Sequence, residues 1–142
     1  MKKFLLLMFL CLILSACSQS EEDKIQKYLD DKTSYDISTV FEDGVLNIEV
    51  PMIDQAGTWN KDGQMDVNLE TIILLEAVKR YPRKDLDLIK EVNIQFITRE
   101  TNKVVAEIHA KSDMFMETNW ADVDNPEVPQ IVDEYNFNGK TK

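Results

Sequence analysis

Chemistry near neutral pH falls most often to histidine and cysteine. This sequence of 142 residues holds one histidine and two cysteines. Cys11 and Cys17 both lie near the start, with neither CxxC nor zinc-ligand spacing. His109 stands near Glu107. A catalytic histidine needs a nucleophile and an orienting carboxylate beside it in space, and no GxSxG or HExxH pattern supplies them. His109 therefore reads as a strand residue facing water. Asp122, Asp124, Asn125 and Glu127 offer oxygens of the kind calcium takes, but no glycine gives them a defined loop. "NKDGQMD" (60–66) invites comparison with an EF-hand and fails it. With Gly63 at the sixth position, Leu69 falls at the twelfth, where a bidentate Glu is required. The 26 acidic residues make accidental carboxylate pairs common, so such pairs do not indicate glycoside chemistry. With only four glycines, no phosphate-cradling loop is present. On this reading no catalytic residue, metal ligand or cofactor is assigned.

The element before Cys17 tells more. Lys2 and Lys3 form a cationic head, Phe4 to Leu14 are apolar without a break, and the small residues Ser15 and Ala16 follow. A membrane span needs roughly 20 apolar residues, and this run is about half that. The order is that of a secretory signal peptide. Leu14-Ser15-Ala16-Cys17 resembles the lipobox of bacterial lipoproteins in all four positions. The resemblance covers residues 1–17 and implies cleavage between Ala16 and Cys17. It also implies a diacylglycerol on the Cys17 thiol, with palmitate-type acyl chains. Two acyl chains hold a domain on a membrane where one holds only marginally. The expected location is the extracytoplasmic face of the cell membrane. Because Ser18 is not an aspartate, the outer membrane is the expected destination in an organism that has one. Cys11 would leave with the signal peptide.

Removing residues 1–16 leaves 126 residues, enough for one domain with its own core. The formal net charge of −10 becomes −12 once Lys2 and Lys3 are gone. Nucleic-acid binding needs a basic face, which this chain lacks. Anionic headgroups would repel it too, so the lipid must carry the anchoring. The one retained cysteine excludes an internal disulfide.

The expected organisation is a signal peptide at 1–16, a lipidated cysteine with a short tether at 17–23, and a single α+β domain at 24–142. A helix is predicted over 21–32, with Ile25, Tyr28 and Leu29 on one face. Asp43-Gly44 signals a hairpin within 36–50, pairing Phe41 with Leu46, Thr39 with Ile48 and Ile37 with Val50. A loop is predicted at 51–66. The strongest helix is expected over 67–81, capped by Asp66 and stopped by Pro82. Its apolar stripe is Ile73, Leu74, Ala77, Val78 and Tyr81, with Leu69, Ile72 and Leu75 at the margins. A second hairpin is predicted over 91–111, turning in "RETNK". Its alternation implies an antiparallel sheet with one wetter face. The predicted fold is thus a small antiparallel sheet of about four strands on two main helices. The order is α-β-β-α-β-β, followed by an irregular tail. The layout is similar to that of small secreted inhibitors and PepSY-type modules, a likeness of fold alone. In the tail, 113–120 reads either as a short helix capped by Ser112 or as a continued strand. Ile131, Val132, Tyr135 and Phe137 are the expected anchors of its last part.

Trp59, Met114, Phe115, Met116 and Trp120 form the one suggestive set, since aromatics and methionine are enriched at interface cores. They serve either as a partner-binding patch or as a seal on the core. The preferred expectation is a non-enzymatic surface lipoprotein that binds another envelope or secreted protein, as an accessory, inhibitor or immunity-type module. The alternative is a binder of a small ligand or cell-wall component, or an unrecognised hydrolase.

Overall fold

The computed structural model describes residues 20–53, 61–82 and 89–138. Helix α1 runs Glu21–Asp30. Ser20 Oγ accepts the Asp23 N–H at 3.1 Å while the Asp23 carboxylate accepts the Ser20 N–H at 3.2 Å. This reciprocal cap satisfies two otherwise orphaned donors. The helix thus begins within the 17–23 stretch expected as tether. Ile25 and Leu29 are buried, and the half-buried Tyr28 meets Tyr81 edge-on at 5.2 Å.

Strands β1 (Ser38–Glu42) and β2 (Val45–Met52) form the first hairpin. Thr39 pairs with Ile48 and Phe41 with Leu46, in the predicted register. The turn needs positive φ at both central residues. Asp43 has φ 52° and Gly44 φ 87°. Ile37 is buried just ahead of β1. Beside it Gln26 of α1 acts as a clip on the sheet edge. Its Oε1 accepts the Thr39 N–H at 2.6 Å and its Nε2 donates to the Ile37 carbonyl. An edge strand otherwise offers these groups to other chains.

Helix α2 spans Lys61–Arg80, starting six residues before the predicted 67. Asp66 therefore lies inside the helix and does not cap it. Gly63 disfavours a helix interior by about 1 kcal/mol relative to Ala, which is why "KDGQMD" reads as loop. Packing overrides it, because Val67 is fully buried and the Met65 carbonyl accepts the Asn125 Nδ2 at 3.0 Å. Leu74, Leu75, Ala77, Val78 and Tyr81 are buried, Ile72 and Ile73 half-buried, and Leu69 exposed. The helix ends ahead of Pro82 as predicted.

Strands β3 (Glu91–Thr98) and β4 (Val104–Lys111) form the second hairpin, turning at Arg99–Asn102 with Asn102 at φ 51°. The register slips between Phe96 and Ile97, so that Phe96 faces Ala106 and Ile97 faces Val104. The tail folds into more than an irregular segment. Helix α3 (Ser112–Glu117) includes Ser112, so the residue at the cap position is Lys111, which makes no side-chain cap bond. Two 3-10 turns follow, at Trp120–Asp122 and Asn125–Glu127. Helix α4 (Val128–Ile131) and strand β5 (Glu134–Phe137) complete the chain.

The fold is α+β, with one sheet of five strands in the order β1-β2-β3-β4-β5. It is mixed rather than wholly antiparallel, because β2 and β3 run parallel. Alternation shows which residues share a face but not the direction of the neighbouring strand. That direction comes from α2, about 30 Å of helix that carries the chain back to the end from which β2 began. One sheet face packs on the helices. Its core contains Leu46, Ile48, Val50, Val92, Ile94, Phe96 and Ile108, closed by Leu74, Val78, Phe115 and Trp120.

A polar latch holds the tail. Tyr135 Oη donates to Asn68 Oδ1 at 2.6 Å, and Asn68 Nδ2 donates to the Asn125 carbonyl at 2.9 Å. Asn68 is only 3% exposed. Truncating it removes the partner of two half-buried groups, the Tyr135 hydroxyl and the Asn125 carbonyl, and a hydrogen bond left unmade costs about 1–3 kcal/mol. Asn68→Ala is therefore expected to lower unfolding stability by ~2 kcal/mol or more, read from urea unfolding. It should also raise hydrogen exchange first in β5.

Candidate functional site

The other sheet face carries no helix among the described residues. The observed register sets its side chains in rows that cross all five strands. One row is Val40, Asn47, Asn93, His109 and Glu134; the next is Ser38, Glu49, Gln95, Glu107 and Asn136. Glu91 and Lys111 face each other beside the first row. The residues of the two rows, with Glu91, line an open groove of about 630 Å3. Along β3 and β4 the polar character stops at the register slip, where Ile97 and Val105 are buried.

Cross-strand hydrogen bonds hold this face in place. Asn93 Nδ2 donates to Asn47 Oδ1 at 3.0 Å, and Gln95 Nε2 donates to Glu107 Oε1 at 3.0 Å. His109 Nε2 lies 3.3 Å from Glu91 Oε2. The carboxylate on His109 is thus Glu91, across a strand pair, and not the sequence neighbour Glu107. Among the described residues no hydroxyl or thiol hydrogen-bonds the ring, so His109 and Glu91 make a hydrogen-bonded couple without an attached nucleophile. What the face can do chemically is bind, through many amide and carboxylate oxygens presented by a rigid sheet.

Four of the five residues of the suggestive set lie among the described residues. Phe115 and Trp120 are core residues, 0% and 1% exposed, and the Trp120 indole N–H donates to the Phe115 carbonyl at 2.9 Å. They seal the helix-covered side of the sheet and are not part of a surface patch. Met114 and Met116 are half-buried and packed against that core. Trp59 lies outside the described residues, as do Ala16 and Cys17. Asp124 and Glu127 are engaged in a reciprocal cap of a 3-10 turn, and Asp122 accepts from Asn119. No group of three or more His, Cys, Asp and Glu side chains is placed to hold a metal among the described residues. No described helix is long and apolar enough to cross a membrane.

A second titratable cluster sits where α2 meets the loop after α1. Glu70, 5% exposed, accepts the Thr33 hydroxyl. Burial pushes its carboxyl above the usual range, and the Thr33 bond offsets part of that rise. The Tyr35 hydroxyl is raised as well, by burial first and then by the charges of Glu70 and Asp66. A carboxyl raised in the folded state contributes stability that is complete below its unfolded value, about 4.3. That stability is lost as pH rises through the folded value. Glu70→Gln keeps an acceptor for Thr33 and removes the buried charge. Thermal unfolding across pH 4–8 is expected to show a flatter decline with rising pH in the variant, and stability at neutral pH at least equal to the parent.

No protein-family model, curated protein sequence or solved structure matches the chain.

The rows could not be found from sequence alone. Each residue in them is an ordinary polar strand position, and only the pairing of β2 with β3 brings Asn47 to Asn93 and Glu49 to Gln95. The one available signal was the uncovered alternation in each hairpin: Asn47 and Glu49 in β2, Asn93 and Gln95 in β3, Glu107 and His109 in β4.

Proposed function

We propose that this protein is a lipid-anchored extracytoplasmic lipoprotein whose domain binds another envelope or secreted protein through the open face of its sheet. Cys17 carries the diacylglycerol, and the activity is recognition rather than catalysis. The observation that carries the binding reading is the pair of polar rows crossing five strands, fixed by side-chain hydrogen bonds and uncovered by any described helix. Open, broad and wet, the face suits a macromolecular surface better than a small ligand, which binding sites usually enclose in mostly apolar walls. The anchor supports the reading from the sequence side. Cys17 to Ser20 spans at most about 10 Å of chain, so the domain works close to the bilayer.

The test is a photo-cross-linking side chain placed at Asn136, on the exposed outer row, in cells making the full chain. A discrete adduct is expected from position 136 and none from the same group at the exposed Glu117 on α3. Adducts of the same size and yield from both positions, or none from 136, would refute the assignment of this face.

A further inference from the structure

We infer that the segment docking on the open sheet face is cationic, a lysine- or arginine-bearing stretch of the partner protein. This rests on the protein-binding reading above and names the partner's chemistry.

The first support is hydrogen-bond supply. Gln95 spends one of its two amide N–H donors on Glu107, and Asn93 one of its two on Asn47. The amides of the face both donate and accept, whereas the second oxygen of Glu107 and the carboxylates of Glu49 and Glu134 only accept. Those acceptor-only oxygens are completed by groups that only donate, and the ammonium of lysine and guanidinium of arginine are such groups. The second support is charge. Glu49, Glu107 and Glu134 have no lysine or arginine hydrogen-bonded or ion-paired to them among the described residues, while Glu91 is hydrogen-bonded to His109. A second copy of the chain would set these carboxylates against their own kind, and anionic lipid would repel them, so neither fits this face. The third support is the cost to the sheet. Asn and Glu are poor strand residues on a scale spanning about 1 kcal/mol. Here they occupy the central strands β2 and β3 at Asn47, Glu49, Glu91 and Asn93. A face that had only to meet water would gain from Thr, Val or Tyr there. Departure from local preference marks functional positions.

The probe is a synthetic octapeptide of alternating arginine and threonine, titrated into the full chain in a non-ionic detergent. The glutamate–threonine peptide serves as control. Backbone amide shifts are expected at outward residues of β2, β3 and β4, with saturable binding at low salt and none of the control peptide. The triple variant Glu49→Gln, Glu107→Gln, Glu134→Gln should weaken the arginine peptide at least tenfold. Removing the same charge at Asp36→Asn, Glu100→Gln and Glu117→Gln should change it less than twofold. Equal weakening by both variants, or shifts centred off the sheet, would overturn the proposal, and matched unfolding midpoints establish that both variants are folded. The cross-link at Asn136 separates the two readings. An adduct retained unchanged in the triple Gln variant keeps the protein-binding reading and overturns the cationic partner. No adduct, beside tenfold-selective peptide binding, retires the envelope partner while the preference of the face for cations stands.

Discussion

Trp120→Ala is expected to remove about 3–5 kcal/mol of stability, the usual cost of emptying a buried tryptophan site. Small domains hold only about 5–15 kcal/mol in total, so this single change takes a large share. The indole is 1% exposed and its N–H is satisfied by the Phe115 carbonyl. Alanine would leave a cavity in the core beside α2, and an acceptor without its donor. A fall in melting temperature on the order of 10–20 °C follows for a domain of this size. Urea unfolding gives the free energy, and the Asn136 cross-link gives the other half of the answer. A core residue costs stability and leaves the adduct intact wherever the protein is folded. A loss below about 1 kcal/mol together with loss of the adduct would return Trp120 to the interface.

Cys17→Ser is expected to have the larger cellular effect. Each buried methylene adds about 0.8 kcal/mol to membrane association, and two acyl chains make a stable anchor where one does not. Serine offers no thiol for the diacylglycerol. The variant should therefore leave the membrane fraction or remain as an unprocessed precursor, and lack the lipid mass in either form. Fractionation and intact-mass measurement check both points. Processing after Ala16 with acyl mass still present would refute the lipobox assignment. The domain itself should keep its unfolding midpoint, since the Cys17 side chain is none of the groups that cap the first helix or fill the described core.

Local chemistry was legible where one residue type has one physical use. Asp43-Gly44 specified a tight turn, and the turn in turn specified the pairing of Phe41 with Leu46. Pro82 stopped α2, and the Ile25–Leu29 spacing named the buried side of α1. Less was legible where tertiary contacts decide. Gly63 argued against helix, and the packing of Val67 and the bond from Asn125 outweighed it. Met114 to Trp120 has the composition of both a core seal and an interface, and only burial separates them. The candidate site was hidden for the same reason. Its rows join residues from five strands, and the central join depends on a parallel pairing that no local pattern encodes.

That parallel pairing has a kinetic side. Val45 meets Glu91 and Met52 meets Thr98, a constant separation of 46 residues. Contacts this distant in sequence slow folding, because loop closure must come before any reward. A hairpin of two strands is only marginally stable alone, so the β1–β2 unit stays loose until residue 98 has joined it. A chain delivered amino end first therefore remains threadable through nearly two thirds of its length. On the lipoprotein proposal the chain crosses a membrane before it folds, and the central strand pair then acts as a timer on its own collapse.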